Sequence, residues 1–268
     1  MKGMQLFRAF IAVALLTLAC LTTAGAGNAD GAVTFVSRSV EASVRHELRL
    51  EPNDRITEEM LDKITELAIL FDVQGSDLSD IAKMKNIHLL MIGSGTIRDF
   101  EALAGLENLQ DVAVFQSAVK DITALSALPS LKRLTLSATT VGNPQELSKL
   151  NSLEYLSMPA AGIGDISFVA GMDNLKYFAF PFNTVKSIEP LSGLAALEEI
   201  NGEYNFIQDL SPLSGLGNLK RVNFEYNQIH DVSVFGEYTH PMEKIHLRGN
   251  RIEDGAPLNK VDCNDILR

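Results

Sequence analysis

The stretch LEEINGEYNFIQDLSPLSGLGN (197–218), followed at once by LKRVNFEYNQIHDVSVFGEYTHP (219–241), decides the fold. Aligned on their first leucines, Leu197 and Leu219, the two segments carry apolar residues at places 1, 4, 6, 11, 14, 17 and 20, with one gap at Gly202. Places 4 and 6 alternate as a short strand, so places 3, 5 and 7 point the other way. Places 11 to 20 hold inward apolar residues separated by turn residues such as Ser211-Pro212 and Ser214-Gly215. That order reads as a strand, a turn and an irregular or 3₁₀ return.

Working outward, the same 22-residue period begins units at Ile87, Leu109, Leu131, Leu153, Leu175, Leu197 and Leu219. An eighth unit starts at Met242, one residue late, after His240-Pro241; a degenerate unit starts at Ile64. One unit cannot bury its apolar side alone, whereas stacked units share a continuous core.

The pattern L-x-x-L-x-L-x-x-N-x-I-x-D-[IL]-x-P-L-x-x-L over Leu197–Leu216 resembles the leucine-rich repeat. The 22-residue length and the D-[IL]-x-P-L return resemble bacterial internalins. Upstream, Val33-Thr34-Phe35, Ser37, Val40, Glu41, Val44, Arg45, Leu48 and Ile56-Thr57-Glu58-Glu59-Met60-Leu61 are similar to the helical cap that precedes such repeats. Val40, Val44 and Leu48 share one helix face. Ser37 suits an N-cap, and Thr57 with two acids suits the start of a second short helix. The resemblance spans roughly residues 33–260 and implies an α/β solenoid. Its parallel sheet lines the concave face, 3₁₀ or irregular returns form the convex side, and a small helical cap covers the N-terminal end.

The expected organisation is a signal segment at 1–26, a linker and cap at 27–63, and repeats with a short C-terminal cap at 64–268. Lys2 and Arg8, the apolar run Ala9–Leu21 and the small residues Ala24 and Ala26 make an export signal with an A-x-A cleavage site. In a competing reading, Thr17-Leu18-Ala19-Cys20 is a lipobox and Cys20 carries a lipid, which would be the only tie to a membrane. The protein is accordingly expected to be secreted, periplasmic or on the cell surface. Without the leader, 21 positive charges face 34 negative ones, which disfavours nucleic acid. Apolar residues make up 46% of the chain, enough for a large core. Cys20 and Cys263 are the only cysteines, so no internal disulfide framework or cysteine zinc site is expected. Burial of Cys263 in the terminal cap is preferred over pairing between chains, and a monomer is expected.

Catalytic motifs are absent: there is no phosphate loop, G-x-S-x-G, H-E-x-x-H or C-x-x-C. Of the five histidines, His230, His240 and His246 fall in the last coils, where His246 could approach Glu225. Solvated side chains are expected there, not a metal site. Asp121, Asp165, Asp209 and Asp231 recur at place 13; one carboxylate per coil is too sparse for calcium and suits turn capping. No cofactor is implied. Place 9, normally Asn, reads Gly95, Ser117, Thr139, Ala161, Asn183, Asn205, Asn227, Asn250, so the early coils are expected to be looser. At Gly202, Phe180 and Phe224 on the neighbouring coils are expected to fill the missing volume.

The outward columns carry the functional reading. Place 3 includes Tyr155 and Tyr177; place 8 includes Phe182, Tyr204 and Tyr226; place 7 includes Glu203 and Glu225. Five aromatics on adjacent coils, in a chain with only 7% aromatic residues, mark a face for a protein or glycan ligand. The expected function is that of an exported, non-catalytic binding protein. The alternatives are a structural envelope lipoprotein and, less favoured, a glycan-acting enzyme using Glu203 and Glu225.

Overall fold

A computed structural model describes residues 31–70, 73–75 and 77–268. The export signal and Cys20 lie outside the described residues. Within them, one parallel twelve-stranded sheet runs the length of the repeats. Its main path is β1 (Glu66–Ile69), β3 (Leu89–Ile97), β4 (Asp111–Val119), β5 (Arg133–Ser137), β7 (Tyr155–Ser157), β8 (Tyr177–Ala179), β9 (Glu199–Asn201), β10 (Arg221–Asn223), β11 (Lys244–His246) and β12 (Ile266–Leu267). Short strands β2 (Val73–Gly75) and β6 (Thr140–Val141) pair with β3 and β4.

Register follows the repeat place for place. Arg221 lies opposite Glu199 and Val222 opposite Ile200, while Tyr155 and Leu156 lie opposite Tyr177 and Phe178. Each return crosses the core edge through a 3₁₀ turn, such as Ser167–Val169, Glu189–Leu191 and Ser211–Leu213. Pro190 and Pro212 stand in the first turn of the latter two, where a missing N–H costs nothing. The residues at places 4 and 6, among them Leu156, Met158, Phe178, Phe180, Val222 and Phe224, are buried in one continuous apolar core. The aspartates at place 13 cap the returns: Oδ1 of Asp121, Asp165, Asp209 and Asp231 accepts from the backbone N–H of Thr123, Ser167, Ser211 and Ser233 at 2.7–2.8 Å.

The cap contains α1 (Arg38–Glu47) and α2 (Glu58–Leu61), with Ser37 and Thr57 as side-chain N-caps. Val40 and Val44 are buried on the first coils and Leu48 is half-buried. The cap is clipped on by Asp80, whose fully buried carboxylate accepts from the N–H groups of Val36 and Ser37, both at 2.7 Å, and from Lys83 Nζ at 2.6 Å. Lys83 also donates to the Thr34 carbonyl. No described helix is long and apolar enough to cross a membrane.

The early coils differ from expectation. In the coils with Gly95 and Ser117 at place 9 the strand does not stop: β3 and β4 run nine residues each and pair beyond the turn, Gly95 with Ser117 and Ile97 with Val119, whereas β7, in the coil with Ala161, ends at Ser157. Thr139 partly stands in for Asn, donating from its hydroxyl to the carbonyls of Val114 and Ser137. In the coils of β3 and β4, backbone ladder therefore replaces side-chain ladder. Cys263 is free and half-buried, so the preference for full burial is only half met. Its thiol faces the Asp265 carbonyl.

Candidate ligand-binding face

From Asn183 onward the asparagine ladder fixes the trailing end of each strand. Asn205 Nδ2 donates to the carbonyls of Phe180, Gly202 and Glu203, while its Oδ1 accepts from the Val185 N–H. Asn183, Asn227 and Asn250 repeat the arrangement. Each side chain thus ties its own turn to the preceding coil and satisfies groups that would otherwise be buried unpaired.

The turn at place 8, shared by coils with and without the asparagine, has a backbone conformation that periodicity does not reveal. Every place-8 residue from Ser94 to Gly249 has positive φ, including Phe182 at 58°, Tyr204 at 53° and Tyr226 at 55°. Left-handed backbone is unfavourable for bulky side chains. It swings the three rings out of the sheet into a stack: Phe182 and Tyr204 centroids are 4.7 Å apart, those of Tyr204 and Tyr226 4.4 Å. The stack ends on Gly249, where an added Cβ would fall 2.6 Å from the Tyr226 ring. All three rings are exposed, Phe182 by 55%. Burial against the neighbouring ring raises the Tyr204 pKa above its ordinary value, helped by Tyr226 and by the carboxylates Glu203 and Glu225.

The five predicted aromatics do not form one patch. Tyr155 and Tyr177 stand at the leading edge of the sheet, stacked at 4.2 Å with planes 4° apart. Arg133 lies 3.8 Å over the other face of Tyr155 and pairs with Asp111. Both tyrosines are half-buried, and burial drives the Tyr177 hydroxyl well above its ordinary pKa. Tyr155 is covered by Tyr177 and by Arg133, and Tyr177 is covered on one face by Tyr155. Phe182, Tyr204 and Tyr226 stand at the trailing edge, about 13–16 Å away along the strands by the rise per residue.

Glu203 and Glu225 lie at half-exposed positions beside this second stack. Each has its backbone N–H held by the asparagine two residues before, Asn201 or Asn223. Glu203 Oε2 accepts from Asn223 Nδ2 at 2.9 Å. No cation pairs with either among the described residues, in contrast to the leading edge. There, place 2 alternates Lys132, Glu154, Lys176, Glu198, Lys220 and Glu243, and the column is zipped by ion pairs such as Lys176–Glu154 and Lys220–Glu198, both at 2.8 Å. Arg221 bridges Glu199 and Glu243. His246 does not meet Glu225; its Nε2 lies 3.0 Å from Asp265 Oδ1. No three His, Cys, Asp or Glu side chains among the described residues are placed to hold a metal ion.

One exposed aromatic escaped the sequence reading. Phe206, at place 10, is 43% exposed and borders a crevice of about 300 Å³ lined by Lys186, Glu189, Gln208 and Asp209. Reading down its column exposes the anomaly: the same place holds Thr184 before it and Gln228 after it.

No protein-family model matches the chain, and neither does any curated protein sequence. Solved structures do. Internalin C2 of Listeria monocytogenes is 23% identical, with a TM-score of 0.66 over 90% of this chain and 99% of that one. An internalin of the same organism, inlF, is 22% identical, with a TM-score of 0.62 over 87% and 82%. TLR13, solved in complex with a single-stranded RNA, is 15% identical, with a TM-score of 0.65 over 79% of this chain and 33% of its own. The chain has the leucine-rich repeat fold these structures share. Since one of them holds RNA, the fold by itself does not choose the ligand.

Proposed function

We propose that the chain is an exported, non-catalytic leucine-rich repeat protein that holds a protein or glycan ligand on its sheet face. The observation that carries this reading is the trailing-edge stack. Three large rings on successive coils are exposed, on strained backbone, beside two carboxylates without counter-charges. A stabilising surface would not need them, because the same place in earlier coils is filled by Gln116, Ala138 and Ala160. Tyrosine offers large apolar area, a hydroxyl and few rotors, which suits a recognition surface. The asparagine ladder holds the coils rigid and lowers the ordering cost of binding. Within this reading, Phe182, Glu203, Tyr204, Glu225 and Tyr226 carry the contact, and Tyr155 with Tyr177 form a second, leading-edge rail.

Export rests on residues 1–26, and the partition into a cap at 27–63 and repeats at 64–268 belongs to the same proposal. Intact mass of the native protein tests export: loss of the leader, or a diacylglycerol adduct on Cys20, is expected, and an intact Met1 chain in the cytosol contradicts it. Binding is tested on arrays of purified extracellular proteins and of glycans. Wild type is expected to give hits that Tyr204→Ala/Tyr226→Ala loses; hits retained by that variant contradict the assigned face.

A further inference from the structure

The trailing edge differs from the leading edge in how its charges are used. At places 2 and 3 the alternating charges neutralise one another coil to coil. At place 7 the column runs Pro181, Glu203, Glu225, Arg248, and none of these three charged side chains forms an ion pair among the described residues. Beside it, place 8 runs Phe182, Tyr204, Tyr226, Gly249, and Arg251 follows as an exposed second cation. The edge therefore has a polarity along the solenoid axis: apolar, then acidic and aromatic, then basic. Successive coils advance by about 4.8 Å.

The rings limit what can occupy the edge. Sugar rings stack on aromatic faces, but both faces of Tyr204 are covered by Phe182 and Tyr226, and the outer face of Tyr226 meets Gly249. Apart from Phe182, which has a ring on one side only, what the stack presents is ring edges and tyrosine hydroxyls, which suit side chains and main-chain polar groups. We infer that, within the binding reading above, the occupant is a segment of a partner protein lying along the solenoid axis, with a basic side chain over Glu203 and Glu225 and an acidic side chain over Arg248. One coil step matches side chains about two to four residues apart in a strand or helix. Unpaired charges of ordered sign also reject segments laid in the opposite direction, since like charges would then face one another.

The test uses the full chain and a random twelve-residue peptide library displayed on yeast. Enriched peptides are expected to carry Lys or Arg and Asp or Glu in one fixed order at that spacing. Glu225→Lys and Arg248→Glu should each weaken a selected peptide by about tenfold. The double variant should prefer, again by about tenfold, a peptide with its two charges exchanged. If Tyr204→Ala/Tyr226→Ala abolishes binding but both charge variants bind as wild type does, the polarity is wrong and the face stands. If neither set changes binding, the face itself is wrong, and the inference falls with it. A library that yields no binder at micromolar protein, or binding only on a glycan array, also overturns it.

Discussion

Tyr204 and Tyr226 stack at 4.4 Å, with their planes 15° apart, from backbone positions whose φ values are 53° and 55°. The stack and the strain have one origin, the left-handed turn at place 8 that every coil from Ser94 to Gly249 shares, with or without asparagine at place 9. A ring at such a position relinquishes backbone comfort for exposure. Tyr204→Gly and Tyr226→Gly remove the rings and the strain together. Each is expected to shift Tm by less than about 3 °C, because released strain offsets lost stacking and the added freedom of the unfolded chain. A larger fall in thermal melts would make the stack a structural element.

Gly202 sits between Phe180 and Phe224 at a place where the repeat calls for leucine. A Cβ there would lie 2.7 Å from Phe224 Cε1 and 2.9 Å from Phe180 Cζ. The two phenylalanines already occupy the missing volume, so Gly202→Leu should restore the repeat pattern and still destabilise by about 1–3 kcal/mol. Denaturant unfolding decides it, and a gain in stability would mean the space is empty.

Asn227 donates to the carbonyls of Gly202, Phe224 and Glu225 and accepts from the Ile207 N–H, all while buried. Asn227→Ala leaves those groups unsatisfied and should cost about 2–3 kcal/mol. Ser117→Ala in an early coil should cost about 1 kcal/mol, since the Ser117 hydroxyl bonds only its own turn and the ladder there runs through backbone. Chemical denaturation of the two variants checks the order.

Acid should loosen both the convex returns and the leading-edge ion pairs. The carboxyl pKa values of Asp121 and Asp165 are held below the ordinary 3.8, chiefly by hydrogen bonds from Thr123 and Ser167. Those of Glu154 and Glu198 are held below 4.5, chiefly by hydrogen bonds from Lys176 and Lys220. In each case the unfolded chain takes up the proton first. The stability they contribute is therefore complete above the ordinary values and is lost as pH falls through the depressed ones. Asp111 runs the other way, because burial raises its pKa and outweighs Arg133; it favours the fold on the acid side. Melts between pH 6 and pH 2 should show a net fall in Tm below about pH 4, smaller in Asp165→Asn than in wild type.

What could be read from the chain and what could not divide along physical lines. Places 1, 4, 6, 11, 14, 17 and 20 were legible because burial imposes a period, and Ser37, Thr57 and the place-13 aspartates because caps need particular acceptors. The left-handed turn at place 8 was hidden. Phe182, Tyr204 and Tyr226 are residues that ordinarily avoid it, so they read as strand surface. That reading merged two edges into one patch and put Tyr155 and Tyr177, half-buried against Arg133 and each other, beside a stack of rings exposed to solvent. At Gly95 and Ser117 a longer backbone ladder stands where the side-chain bonds are missing, which no residue pattern announces. The place-2 ion pairs among Lys132, Glu154, Lys176, Glu198 and Lys220 were open to inspection and become meaningful only once the coils are in register.

The central claim is that the trailing-edge stack touches the ligand, and site-specific photo-crosslinking tests it most directly. p-Benzoylphenylalanine is placed at 204, at 177 on the leading edge and at 145 on the convex returns, and the full chain is irradiated with a partner found on the arrays. Crosslinks are expected to be strongest at 204, weaker at 177 and absent at 145. Crosslinking at 145 with none at 204 would contradict the account.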